Sequence, residues 1–308
     1  MPKLSRQSVR GGWIGAASEL LARLWSTQAP AIDEAVALCT DAIGGGGLVH
    51  LFGTGHSRIP VEEMFPRYGS YPGFHPIVEL STTFHTQVVG ANGQRQAMFI
   101  ERVEGLAEVI LSNFKLAPPD VMMVFSAGGL GANAIEMAIG ARRRGLPVVA
   151  VTSLAQSNAA VPTHSSGTRL YDHADVVIDL CTPAADALVT IDGLDSPVGP
   201  GSSVAAVAVV NEIKVQTAER LVERGQMPPV LTSASVVGRE RSAELFDAAY
   251  AEHARRAAAA LATGSTQQLV DGVGSEGVLD RQHGRPDDAG ALTRRRGDDA
   301  EVGGGQRQ

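Results

Sequence analysis

The chain has 308 residues, 44% of them hydrophobic, enough for a substantial core in one large domain or two small ones. A formal charge of −7 argues against a binder of nucleic-acid backbone, and no apolar run approaches the roughly 20 residues that span a bilayer. Cys39 and Cys181 are the only cysteines, which excludes a disulfide framework, and the basic opening MPKLSRQSVRGGW lacks the apolar core of a secretory signal, so a cytoplasmic protein is expected.

In chain order, helices are predicted around Ile14 to Trp25 and Ala31 to Ile43. Residues 1–46 are therefore read as N-terminal helices packing on a core domain of residues 47–262. Short apolar runs at Leu48 to Phe52, Ile77 to Leu80, Val121 to Phe125, Val148 to Thr152 and Val176 to Leu180 have the length and composition of buried strands. Between them lie helical patterns at Pro60 to Arg67, Leu106 to Phe114 and Asn133 to Arg144, with a weak one near Gln156; Val204 to Glu223 follows the last strand. This alternation predicts a single α/β domain, a doubly wound five-stranded parallel sheet of flavodoxin-like order 2-1-3-4-5 with helices on both faces. From Gly264 the sequence is glycine-rich, charged and without apolar periodicity, so residues 263–308 are expected to be a disordered tail.

In such a fold ligands bind at the carboxyl ends of the strands, and three of those ends are rich in glycine and hydroxyls. They are Gly53-Thr54-Gly55-His56-Ser57, Ser126-Ala127-Gly128-Gly129-Leu130-Gly131 and Thr152-Ser153-Leu154-Ala155-Gln156-Ser157. Glycines let backbone approach a ligand, helix N-termini favour an anion, and serine and threonine add uncharged donors. Such loops suit a phosphate monoester. Tight strand-to-helix turns need glycine anyway, so the argument rests on three such loops at one sheet edge. A dinucleotide competes, because G-T-G opens the G-x-G-x-x-G fingerprint and Glu79, ending the second predicted strand, offers a ribose ligand; Arg58, however, stands in place of the third glycine. No G-x-x-x-x-G-K-[ST], H-E-x-x-H, C-x-x-C or G-x-S-x-G occurs, so no metal and no cofactor are expected.

The motifs FGTGHS, VEEMF, VPTHSSGTRLYDHADVVIDLC, DALV, VGPGSSVAAVAVVNEIKV and MPPVLTSA together resemble the SIS (sugar isomerase) family, in its UPF0309-like branch, from about Trp13 to Gly238. The resemblance implies a homodimer that binds a sugar phosphate, with Thr54, Gly55, Ser57, Ser126, Gly129 and Ser153 lining the phosphate site. One departure is visible: SIS proteins commonly carry Ser-x-Ser-Gly in the second loop, and Ser126-Ala127-Gly128-Gly129 lacks the second serine.

Isomerising or dehydrating a sugar phosphate needs a base near neutrality and an acid for ring opening, which carboxylates and histidines supply. His56, inside the first loop, can serve ring opening or simply bond to backbone. On a helical wheel Glu62 flanks the apolar side of its helix while Glu63 points nearly away, so Glu62 is the better placed of the two. Glu212 in Asn211-Glu212-Ile213 is similar to a catalytic segment of some SIS isomerases, yet it also continues a polar stripe with Gln216, Glu219 and Glu223. His85 follows the second strand, where a dimer can reach into a neighbouring site. His50, inside a strand, reads as a core histidine.

The leading expectation is an enzyme acting on a sugar 6-phosphate, with or without an N-acetylated amino group. A non-catalytic phosphosugar sensor and a dinucleotide-dependent oxidoreductase are the alternatives. Neither nucleic acid nor membrane is an expected partner. Because the tail lacks a periodic apolar face, a chain truncated after Gly264 should keep its melting temperature and its ligand affinity in thermal-shift and calorimetric assays. A clear loss of either would show that the tail docks on the fold.

Overall fold

The computed structural model describes residues 9–83 and 93–261. Helix α1 (Gly12–Gly44) leads into β1 (Val49–Gly53), a 3-10 turn at Gly55–Arg58, α2 (Ile59–Met64) and β2 (Phe74–Ile77). Short helices α3 (Leu80–Thr83), α4 (Gly93–Ile100) and α5 (Leu106–Leu111) precede β3 (Val121–Phe125), α6 (Ala132–Arg143), β4 (Val148–Thr152), α7 (Leu154–Ala159) and β5 (Val176–Asp179). The chain continues through a hairpin, β6 (Ala187–Val189) and β7 (Val198–Pro200), to α8 (Ser202–Glu223), α9 (Ala234–Val237) and α10 (Arg239–Leu261).

Strands β1 to β5 form one parallel sheet in the order 2-1-3-4-5. Alternate side chains explain why both faces are covered. Val49, Leu51, Val121, Met123, Val149 and Val151 enter a core with α1, α2 and α8, whereas Phe52, Met122, Val124, Val148 and Ala150 enter a second core with α5 and α6. A strand buried on both faces reads as a continuous apolar run, which is why β3 and β4 carry the bounds expected of them.

Several elements differ from expectation. The two predicted N-terminal helices are one, with Pro30 inside it. Proline removes one helical hydrogen bond, but Leu20, Leu24, Ile32, Ala35 and Val36 are buried on both sides of it, and packing along α8 carries the helix through. The second strand runs Phe74–Ile77 and so ends where the expected strand, Ile77 to Leu80, begins. It is an edge strand, where Pro76 is tolerated, and Glu79 lies beyond it, accepting from the Ser81 and Thr82 backbone N–H groups. The hairpin β6–β7 and helix α10 have no counterpart among the predicted elements. Helix α10 is anchored by Arg256, which donates to the Ile43 and Gly47 carbonyls at the end of α1 at 2.8 and 2.7 Å.

His50 belongs to a buried polar chain. Its Nε2 lies 3.1 Å from Asp120 Oδ2 and its Nδ1 lies 3.0 Å from His75 Nδ1, while Asp120 Oδ1 accepts from the Leu48 N–H at 2.8 Å. One arrangement satisfies every group: His50 donates from Nε2 to the carboxylate and accepts at Nδ1 from His75. Burial, with His50 and His253 nearby, pulls the His75 imidazole down to about 4. In the unfolded chain the same ring binds a proton below about pH 6.5. His75 therefore contributes stability that is full above about pH 6.5 and lost as the pH falls toward 4, by up to roughly 1.4 kcal/mol per pH unit. His75→Phe should be less stable than the parent at pH 7 and lose less on acidification, as urea titrations across that window would read. Equal losses in both proteins would contradict this.

Candidate functional site

The first loop is tight because a Cβ on Gly53 would lie 2.3 Å from the Ser57 carbonyl oxygen. Gly55 follows at φ 55, in the left-handed region that favours glycine, and the Ser57 N–H donates to the Thr54 carbonyl at 3.0 Å. The turn carries Thr54, His56 and Ser57 at the sheet edge. Thr54 Oγ1 donates to Glu101 Oε2 at 2.7 Å, which ties the loop to the end of α4.

The second and third loops are knitted together. The Ala127 carbonyl accepts from the Ser153 N–H at 2.9 Å and from Thr152 Oγ1 at 3.2 Å. Ser126 Oγ accepts from the Gly129 N–H at 3.1 Å, and the Gly129 carbonyl accepts from the Leu170 N–H at 2.9 Å. Ser153 is fully buried, donating to the Thr182 carbonyl at 3.1 Å and accepting from the Gln156 N–H as the cap of α7. Gly129 and Ser153 thus hold the wall of the site together from behind.

In front of that wall lie two adjoining cavities that share His56, Ser57, Ser126 and Ala127. The first, about 260 Å³, reaches Ser202 and Ser203 at the start of α8. Its rim includes Asp186, which accepts from the Ser202 N–H at 2.8 Å and from Ser202 Oγ at 2.7 Å and so caps that helix. The second, about 230 Å³, is lined by Thr54, Gly55, Gly128 and Glu101. Hydroxyls, backbone amides, an imidazole and a half-buried carboxylate face one space.

Of the residues singled out from sequence, Thr54, Gly55, Ser57, Ser126 and His56 converge on these cavities. Glu62 does not. Its side chain is 62% exposed, pairs with Arg58, and lines a separate cavity with Phe65, Pro76 and Val78. Glu63 is the more buried of the pair, 22% exposed, and faces α8, 3.3 Å from Asn211 Nδ2 and 3.7 Å from Lys214 Nζ. The helical-wheel reading reversed them because it did not include α8, whose Lys214 also donates to the Glu63 carbonyl at 2.9 Å. Burial lowers the Lys214 ammonium below its ordinary range, opposed by Glu63. Glu212 accepts from Gln216 Nε2 at 2.7 Å within α8 and lines neither cavity. His85 lies outside the described residues. Glu101 is the acid that sequence reasoning missed: only its contact with Thr54, 47 residues away, reveals it.

A doubly wound parallel sheet with a polar cleft at the carboxyl ends of its strands defines a class of ligand-binding α/β proteins, and residues 12–153 match the SIS domain model. The chain is 32% identical over 235 residues to a UPF0309 protein of Streptomyces coelicolor, covering 76% of this chain and 92% of that one. A UPF0309 protein of Caldanaerobacter subterraneus is 32% identical over 221 residues, covering 71% and 87%. The chain belongs to the UPF0309 family of SIS-domain proteins. It is also similar to a solved phosphoheptose isomerase from Francisella tularensis, at 14% identity and a TM-score of 0.45, covering 71% of this chain and 100% of that one.

Gly129 has φ 61, and a Cβ there would lie 2.9 Å from Thr152 Oγ1 and 3.1 Å from Ser157 Oγ. Gly129→Ala should therefore cost about 1–3 kcal/mol of stability in chemical denaturation. An unchanged midpoint would show that the wall yields at this point.

Proposed function

We propose that this protein binds a sugar phosphate in the paired cavities and transfers a proton on it, isomerising or dehydrating a sugar 6-phosphate that is N-acetylated or not. The observation that carries the reading is the convergence of Thr54, Ser57 and Ser126 with His56 and Glu101 on one cavity. Uncharged hydroxyls and loop amides suit a phosphate, and SIS-domain membership supports that ligand. The phosphate occupies the Ser57 and Ser126 side, while the sugar carbons extend toward Glu101.

In this mechanism the Glu101 carboxylate removes the proton from C2 of the open-chain sugar. Thr54, donating to one carboxylate oxygen, holds it in place. On opening, the bond from C1 to the ring oxygen breaks, His56 donates a proton to that oxygen, and the anomeric hydroxyl releases its proton to solvent as the carbonyl forms. For isomerisation the proton returns at C1, with the carbonyl oxygen protonated and the neighbouring hydroxyl deprotonated. For dehydration a hydroxyl leaves as water with a proton from the acid. The dinucleotide reading has lost its ribose ligand, since the Glu79 carboxylate is bonded to Ser81 and Thr82.

The reading includes a cytoplasmic homodimer, favoured by apolar side chains exposed on α1 and α8, among them Ile14, Trp25, Val215 and Val222. Among the described residues no helix is long and apolar enough to cross a membrane.

Incubation with a panel of sugar 6-phosphates in deuterated water, followed by NMR, tests the proposal. The parent should exchange the C2 hydrogen or release water. Glu101→Gln and His56→Asn should lower turnover by about a hundredfold or more while affinity is retained, and Glu62→Gln and Glu212→Gln should behave as the parent. Binding without exchange would leave a sensor and end the catalytic reading. No binding to any member would end the phosphosugar reading, and full turnover by Glu101→Gln would place the base elsewhere.

A further inference from the structure

Away from the cavities, three segments distant in sequence bring Glu104, Glu136 and His164 together. Glu104 lies in the turn before α5, Glu136 on α6 and His164 in the VPTHSSG segment after α7. One ligand atom from each lies within 4.8 Å of the others. His164 Nε2 is 3.4 Å from Glu136 Oε1 and 4.0 Å from Glu104 Oε1.

Two features distinguish this group from an ordinary polar surface. First, two carboxylates meet without a balancing cation: among the described residues the only positively chargeable side chain recorded in ion-pair range of either is His164. Glu108 and Glu252, by contrast, face Arg144 and Arg255. Second, the imidazole is fixed and nearly buried. Its side chain is 7% exposed, and Nδ1 lies 2.7 Å from Ser166 Oγ, which continues to Thr168 and His173 at 2.6 and 2.7 Å. Nδ1 also faces the Ser166 N–H at 3.2 Å; in the tautomer that donates from Nδ1 to Ser166 Oγ, the one a bound cation would select, Nε2 presents a lone pair to the space between the carboxylates.

The carboxylates are also held. Both Glu136 oxygens accept from the Gly105 N–H at 2.8 and 2.9 Å, and Glu104 Oε1 accepts from the Ser165 N–H at 2.7 Å. A cation about 2.1 Å from each ligand atom would set them roughly 3–3.5 Å apart, so a closure of about 1 Å at the Glu104 turn completes the set.

We propose that Glu104, Glu136 and His164 form a site for a first-row divalent cation of the zinc or manganese kind, taking two carboxylate oxygens and one imidazole nitrogen. Such a ligand set suits these ions better than magnesium, which favours oxygen alone. The ion would clasp the 164–166 segment to the turn that follows Glu101. It would thereby steady the acid placed at the cavity in the proposed function, while its own binding does not depend on that reading.

Full-length protein stripped with a chelator would be titrated with zinc chloride and with manganese chloride by calorimetry, with magnesium chloride for comparison. One equivalent of zinc or manganese should bind and raise the melting temperature by several degrees. Glu104→Gln, an exposed position that leaves the cores intact, and His164→Ala should each lower affinity at least tenfold. Circular dichroism would confirm that both variants fold. Absence of binding by the parent overturns the site. So does equal binding by parent and Glu104→Gln, which would leave an adventitious ion held elsewhere in the chain.

Discussion

The parallel register of β1, β3 and β4 is the constraint from which the rest follows. Gly53 stands opposite Phe125, and Phe125 opposite Val151, so three strands end at one edge and their loops are forced together. That register is held by burial on both faces: a slip of one residue would turn every apolar side chain to the opposite layer and separate Leu51 from α1 and Phe52 from α5. The loops then fill each other's hydrogen bonds. Ala127 receives Ser153 and Thr152, and Gly129 receives Leu170. A rigid wall results, with His56 and Ser57 facing it across the cleft.

The same sheet is anchored away from the cleft by polar groups. Asp120 joins the N–H of Leu48 to His50, and Arg256 closes the carbonyl end of α1 from α10. Each of these charges has several partners, which is the condition under which burying it is tolerated. Polar fixation on one side and loop bonding on the other leave the cleft as the place where hydroxyls and amides remain directed at open space.

Much of this was legible in the sequence. A strand buried on both faces has no polar alternation to mislead, so β3 and β4 could be read to the residue. The family motifs named the loops from which Thr54, Ser57 and Ser126 reach the cavities. What was not legible depended on contacts between distant segments. The edge strand β2 contains Pro76, which reads as a break, and α10 buries only Ser242, Ala249, Arg256 and Ala260, too weak a stripe to stand out. Glu62 and Glu63 could not be ranked without α8, and Glu101, at the end of the run Ala97-Met98-Phe99-Ile100, takes its meaning from Thr54. Ser153 offered a hydroxyl at the right strand end, but capping α7 took it.

The central claim is that the β1 and β3 loops, rather than another cleft, hold the phosphate of a sugar. Backbone amide shifts of the labelled protein, followed by NMR as a sugar 6-phosphate and then the parent sugar are added, test it most directly. The account predicts the largest changes at Gly55, His56, Ser57, Ala127 and Gly128, and larger changes with the phosphate ester than with the sugar alone. Changes centred on the cleft of Arg23, Gln28 and Cys181, or none at the two loops, would contradict it.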